Sequence, residues 1–260
     1  MFRKRSKIIA LSLLVGFSPL SDYMTNSNFK SENPSRIENI CGFHNEEIEL
    51  IKNTLDIFNS KYSFDINPYF LKANTNFPSD VGGMAFFNLG HDAKSNCNFT
   101  NLFNNGEYGL LDGQDVIVMN SLDKYKIWSK KDDSLFDSIY LPNSNPHIFY
   151  KRAVLHELGH LLFHRLSDSK LINQISNIDI VSKSYTMGSS ISHPAHPSFY
   201  TFFLACAPDF PDDLIKCSVN EQFADIFSLN TLGYLNNKID DGNLIKKIDL
   251  VNEKLSPYEL

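Results

Sequence analysis

No stretch of this sequence is both apolar and long enough to cross a bilayer. The N-terminal apolar run, Ile8 to Phe17, holds ten residues, about half of what a spanning helix requires. Basic residues do not predominate either. Lys and Arg total 24 against 30 Asp and Glu, for a net charge of −6, which argues against nucleic acid or an acidic membrane surface as the main partner. The four cysteines, Cys41, Cys97, Cys206 and Cys217, show no Cys-x-x-Cys spacing, which argues against cysteine-ligated zinc. No repeat or low-complexity tract interrupts the chain. With 260 residues, 42% of them hydrophobic, it can bury a full core in one domain or in two packed lobes.

What is present begins with a leader. Arg3, Lys4, Arg5 and Lys7 precede the short apolar run, the pattern of an export signal. No Ala-x-Ala site follows, so cleavage is expected between Ser18 and Met24, and an uncleaved signal anchor is the alternative. No cysteine stands close behind the run, which speaks against a lipoprotein. The expected organisation is a signal peptide over 1–21, a polar arm over 22–40 and one domain over 41–260, in a secreted or periplasmic protein without a stable membrane anchor. An even cysteine count in an exported chain suggests disulfides. Cys206–Cys217 would close a short proline-containing loop and leave Cys41–Cys97 by elimination, with buried free thiols as the alternative.

The strongest signal is Val154-Leu155-His156-Glu157-Leu158-Gly159-His160-Leu161-Leu162-Phe163. On a helix, positions four apart share a face, so His156 and His160 can converge on one metal ion while Glu157 reaches an attacking water. Asn145-Pro146 predicts the helix start, through an N-cap and a proline at the first position. The helix, expected over 146–166, is apolar on most sides and therefore buried, and two histidines with a glutamate are costly there unless paired or metal-bound. A chance match in a core helix is the alternative. His164, a further four residues on, drifts off the ligand face.

Other elements are fainter. Asn45 with Glu46 and Glu47 predicts an amphipathic helix over 46–60. Tyr62–Ile66, Met84–Asn88 and Asp115–Met119 read as strands, with Met84–Asn88 as a sheet edge along the cleft that pairs with extended substrate. Residues 122–145 read as a polar connector, and 167–217 as a helix or two with long loops. Ser218 and Glu221 form a capping-box pattern that predicts a helix start, with Glu221 and Asp225 on one face. A last amphipathic helix, built on Leu244, Ile245, Ile248 and Leu250, falls within 237–260.

Catalytic zinc takes three protein ligands and a water. The metzincin positions for a third histidine and its glycine hold Leu166 and Phe163, which excludes that class. His156-Glu157-Leu158-Gly159-His160, taken with Asn220-Glu221-Gln222-Phe223-Ala224-Asp225-Ile226-Phe227, resembles the gluzincin metallopeptidases, the clan of the thermolysin-like enzymes. The second stretch is also similar to that of the lethal-factor-like peptidases, including secreted proline-specific ones. The resemblance covers about 20 residues. It implies that Glu221 is the third zinc ligand and that Asp225 accepts a hydrogen bond from a ligand histidine. There are departures. The spacing to Glu221 is longer than in the thermolysin group, no histidine follows His196, and Leu214 stands where the lethal-factor-like group has tyrosine. Tyr185, Tyr200, His193 and His196 are the candidates for stabilising an oxyanion, and the two histidines are rivals of Glu221 for the third ligand position. A purely capping Glu221 is the other alternative.

The expected protein is thus α+β and zincin-like. A small mixed sheet would pack on the active-site helix, with a mainly helical C-terminal lobe. The expected activity is that of a secreted metalloendopeptidase with one zinc ion held by His156, His160 and Glu221, Glu157 as general base and a protein or peptide substrate. A zincin-fold binding protein without activity and a metal-dependent hydrolase of a non-peptide bond are the alternatives.

Overall fold

The structure, a computed structural model, describes residues 40–73, 81–87, 114–129, 145–182, 212–235, 239 and 241–260. It is mixed α+β, with a small sheet and six α-helices among the described residues. The chain divides into two compact units, one from residues 1–44 and 66–120, the other from 45–65 and 121–260.

The first unit carries the sheet. Strands β1 (Ile40–Cys41), β2 (Tyr69–Lys72), β3 (Gly83–Phe86) and β4 (Val116–Met119) lie in the order β1-β2-β4-β3. β1 and β2 pair in parallel, as do β2 and β4, while β3 runs antiparallel to β4 with Met84 opposite Val118. All four residues of β4 are buried, so both of its faces are covered, as its unbroken run of Val, Ile, Val and Met requires. Leu71, Phe86, Val116 and Val118 form the core of one face. The segment expected as a strand at Met84–Asn88 is β3, shifted by one residue at its start, and it does lie at an edge of the sheet. Ile40, expected in a loose arm, is in strand β1. Residues 1–39, with the expected signal peptide, lie outside the described residues.

The expected strand over Tyr62–Ile66 does not form. Tyr62 makes one isolated bridge with Glu259, and the sheet strand starts after Pro68. The reason is aromatic. The Tyr62 ring lies 5.7 Å from that of Phe227, and Phe64 stacks on Tyr258 at 4.2 Å, which docks this segment on helices of the second unit.

The second unit is helical: α1 (Asn45–Lys61), α2 (Leu122–Trp128), α3 (Pro146–Leu166), α4 (Ser169–Ser182), α5 (Asp212–Thr231) and α6 (Gly242–Leu255), followed by a 3-10 turn over Ser256–Tyr258. α3 occupies the expected span. The Asn145 side chain accepts from the His147 and Ile148 amides, and Pro146 opens the helix. α2 replaces the start of the expected polar connector. Its Leu122 and Tyr125 are buried, and the Leu122 amide donates to buried Glu47 on α1 at 2.8 Å. α5 starts at Asp212, so Ser218 and Glu221 stand inside the helix and form no capping box. α6 is capped by Asp241 and buries Leu244, Lys247, Val251 and Leu255, leaving Ile245 exposed.

α5 is the central helix, buried on all sides from Gln222 to Leu229. It packs along α3 and comes close to it at Gly159. A Cβ placed on that residue would lie 2.7 Å from the Ala224 Cα and 3.2 Å from the Phe227 ring. Helix propensity alone would make Gly159→Ala stabilising by about 1 kcal/mol. Overpacking against backbone reverses the sign, and the variant should lose about 1–3 kcal/mol. A chemical denaturation curve decides between the two: a midpoint above the native one would show that the helices separate at no cost.

Candidate metal centre

All the site residues described here belong to the second unit. His156 and His160 stand one turn apart on α3, with ring centroids 4.6 Å apart and planes at 89°. His156, Glu157 and His160 each bring a ligand-type atom within 4.8 Å of the others. From α5, Glu221 reaches both imidazoles. Its Oε2 lies 3.2 Å from His156 Nε2, and its Oε1 lies 3.6 Å from His160 Nε2.

The opposite ring nitrogens are also engaged. His156 Nδ1 lies 2.9 Å from Asp225 Oδ1, and His160 Nδ1 lies 2.9 Å from Asn220 Oδ1. In the neutral ring, Nδ1–H donation to these acceptors would leave an unprotonated Nε2 facing Glu221, the orientation that metal-bound histidines take. The donor spacings bear on fit. Neighbouring N and O ligands around a tetrahedral zinc with bonds of 2.0–2.1 Å lie about 3.3 Å apart. The two Nε2–Glu221 distances bracket that value. An imidazolium–carboxylate pair would explain the His156 contact by itself. It would not explain why His160 turns its Nε2 to the same carboxylate while its Nδ1 holds Asn220. The spacing of these donors is thus compatible with a zinc ion.

Behind this set is a buried ion pair. Arg152, one turn before His156 on α3, donates to Asp225 Oδ1 at 2.5 Å, with both side chains almost wholly enclosed. A single oxygen of Asp225 thus serves Arg152 and His156 together. In the metal-free protein, burial works against charge on His156, but Asp225 and then Glu221 outweigh it and raise the imidazole to about 10. Burial likewise disfavours charge on Glu221, and His160 and His156 outweigh it, holding that carboxyl below its ordinary value. Glu157 is 5% exposed, and after burial and the neighbouring Tyr150 its charge helps to keep the Tyr125 phenol protonated.

The sequence-derived set is brought together in His156, Glu157, His160, Glu221 and Asp225. His164 is exposed on α3, away from the buried face. Tyr185, His193, His196, Tyr200, Cys97 and Cys206 lie outside the described residues, as does the side chain of Cys217, so both expected disulfides fall there too. Three contributors had no role in the sequence reading: Arg152, Asn220 and Gly159. Arg152 could have been found by its spacing, since it stands four residues before His156 on the same helix.

The histidine charge yields a signed prediction. A folded-state value raised above about 6.5 means that protonated His156 stabilises the metal-free protein at low pH. That stability should be lost as pH rises through about 10. Zinc requires the neutral ring, so uptake at pH 7 should release a proton and affinity should rise with pH toward 10. Zinc titrations in dilute buffer at several pH values measure both. A binding constant that stays flat from pH 6 to 9 would contradict the assignment. Comparison with protein-family models, with curated proteins and with solved structures gave no match for this chain, so its functional reading rests on the geometry of these residues.

Proposed function

We propose that this chain is an exported zinc-dependent metalloendopeptidase of gluzincin type, on a zincin-like fold. The observation that carries the reading is the convergence of two imidazoles from α3 and one carboxylate from α5, with Glu157 beside them. When bound there, zinc polarises the scissile carbonyl and lets water attack near neutral pH. His156, His160 and Glu221 would hold it. Asp225 and Asn220 fix the ring tautomers, and Arg152 orients Asp225. The Glu157 carboxylate takes a proton from the attacking water and passes it to the leaving amine nitrogen. Its near-complete burial keeps that proton from exchanging with bulk water during the step. The substrate is a protein or peptide. The basic leader with its short apolar run supports export.

Three variants test the roles. Glu157→Gln keeps size and polarity but cannot take the proton, so turnover should fall at least about 100-fold with zinc content unchanged. Glu221→Ala leaves two ligands and should lose most bound zinc and all measurable activity. Asp225→Ala keeps three ligands but frees an imidazole, and should weaken affinity or activity by roughly 10–100-fold, partly restored by added zinc. The measurements are metal content and cleavage of casein beside small esters. Retained zinc in Glu221→Ala would falsify the ligand set, and cleavage of esters without casein would replace the peptide substrate by another class.

A further inference from the structure

Roughly 100° round α5 from Glu221 lies a second buried polar cluster that the reaction does not use. Gln222, the residue after Glu221, is fully buried. Its Nε2 donates to Asp179 Oδ2 on α4 at 2.8 Å. Lys247 on α6, also fully buried, donates from Nζ to Asp179 Oδ1 at 2.6 Å and to Gln222 Oε1 at 2.7 Å. Three side chains from three helices thus close a triangle of hydrogen bonds.

Stability is a poor reason for such a cluster. A buried ion pair gains little over apolar residues of the same volume, because desolvation offsets most of the Coulomb attraction. What the triangle does provide is direction. Each member tolerates only a narrow range of angles, and Gln222 can satisfy both partners in few orientations of α5. Successive residues on a helix are about 100° apart, so the orientation of Gln222 sets that of Glu221. A side-chain end lies about 6 Å from the helix axis, so a rotation of about 10° moves a carboxylate by about 1 Å. Metal bonds tolerate only about 0.2 Å. On the α3 side, Gly159 and Ala224 fix how close α5 comes and Arg152 and His156 hold Asp225, while the triangle anchors α5 from its α4 and α6 side.

We propose that Asp179, Gln222 and Lys247 are positioning residues that lock the rotation of α5 and so hold Glu221 in reach of the metal. The inference rests on the zinc reading above. It accounts for a lysine on the buried face of α6 and for an aspartate on α4, neither of which touches a metal-site residue's carboxylate or ring directly in the contacts above.

The test is a set of apolar replacements in the full mature chain. Asp179→Leu, Gln222→Leu and Lys247→Met together remove the ion pair and the amide that bridges it. The melting temperature of the metal-free triple variant should equal or exceed the native one. Its zinc Kd should nevertheless weaken by roughly 10–100-fold, the scale of losing an orienting partner. The cobalt-substituted form should show altered d–d absorption, which reports ligand geometry independently of turnover. Gln222→Met alone, which keeps the Lys247–Asp179 pair, should move both readouts in the same direction and decides the matter if the triple variant does not fold. Native zinc affinity and a native cobalt spectrum in a folded variant overturn the positioning role alone. A native chain that takes up neither zinc nor cobalt overturns the zinc reading, and this inference with it.

Discussion

The close approach of α3 and α5 at Gly159 and Ala224 is the constraint on which the rest of the site depends. Side-chain reach from a helix is short, and Glu221 and Asp225 flank Ala224 on the surface of α5 that faces α3. With a Cβ at Gly159 contacting backbone at 2.7 Å, the helices could not keep this spacing. The glycine inside His156-Glu157-Leu158-Gly159-His160 is therefore a matter of distance between helices and not of backbone flexibility. Once that distance is set, Asp225 reaches His156, Asn220 reaches His160, and Glu221 reaches both.

The charges then follow a pattern that makes their burial tolerable. Arg152, Asp225, His156 and Glu221 alternate in sign along a chain of contacts, each within hydrogen-bonding distance of the next. An isolated carboxylate as enclosed as Asp225 would be strongly unfavourable. Here one oxygen is shared by a guanidinium and an imidazole, so the group is never left unpaired whether or not His156 carries a proton. The cost of the arrangement is rigidity, since turning any one of the four away breaks a charged contact of its neighbour.

Legibility in the sequence divided along physical lines. α3 was readable to the residue because Asn145-Pro146 and the apolar run are local signals that tertiary packing did not need to override. His156, Glu157 and His160 were readable together because helix spacing places them on one element, whereas the link to Glu221 and Asp225 came from the resemblance of the second stretch and depends on how α5 packs on α3. α2 was missed because its two buried residues, Leu122 and Tyr125, are embedded among Asp123, Lys124 and Lys126, which read as loop. The start of α5 was misplaced because Ser218 and Glu221 match a capping pattern by coincidence. Pro211 followed by Asp212 and Asp213 is the better start signal, with acids placed to meet the helix dipole. Tyr62–Ile66 alternates like a strand, yet its rings have partners on helices. The Lys247 triangle was invisible in principle, since a lysine in an amphipathic helix is ordinarily solvated and only the packing of α4 against α5 and α6 encloses this one.

The partners of the α3 side chains come late in the chain. Asp225, Glu221 and Asn220 stand 69, 65 and 60 residues after the groups they meet. Closing a loop of that length costs about 4 kcal/mol of chain entropy, so these contacts cannot form ahead of the fold that carries them. At a synthesis rate of about 5–20 residues per second, the α3 histidines exist for about 3–13 s before Glu221 has been made at all. Through that interval the nascent chain has the two imidazoles and Glu157 without Glu221, Asp225 or Asn220. The side-chain arrangement is completed only when α5 has been made and can dock.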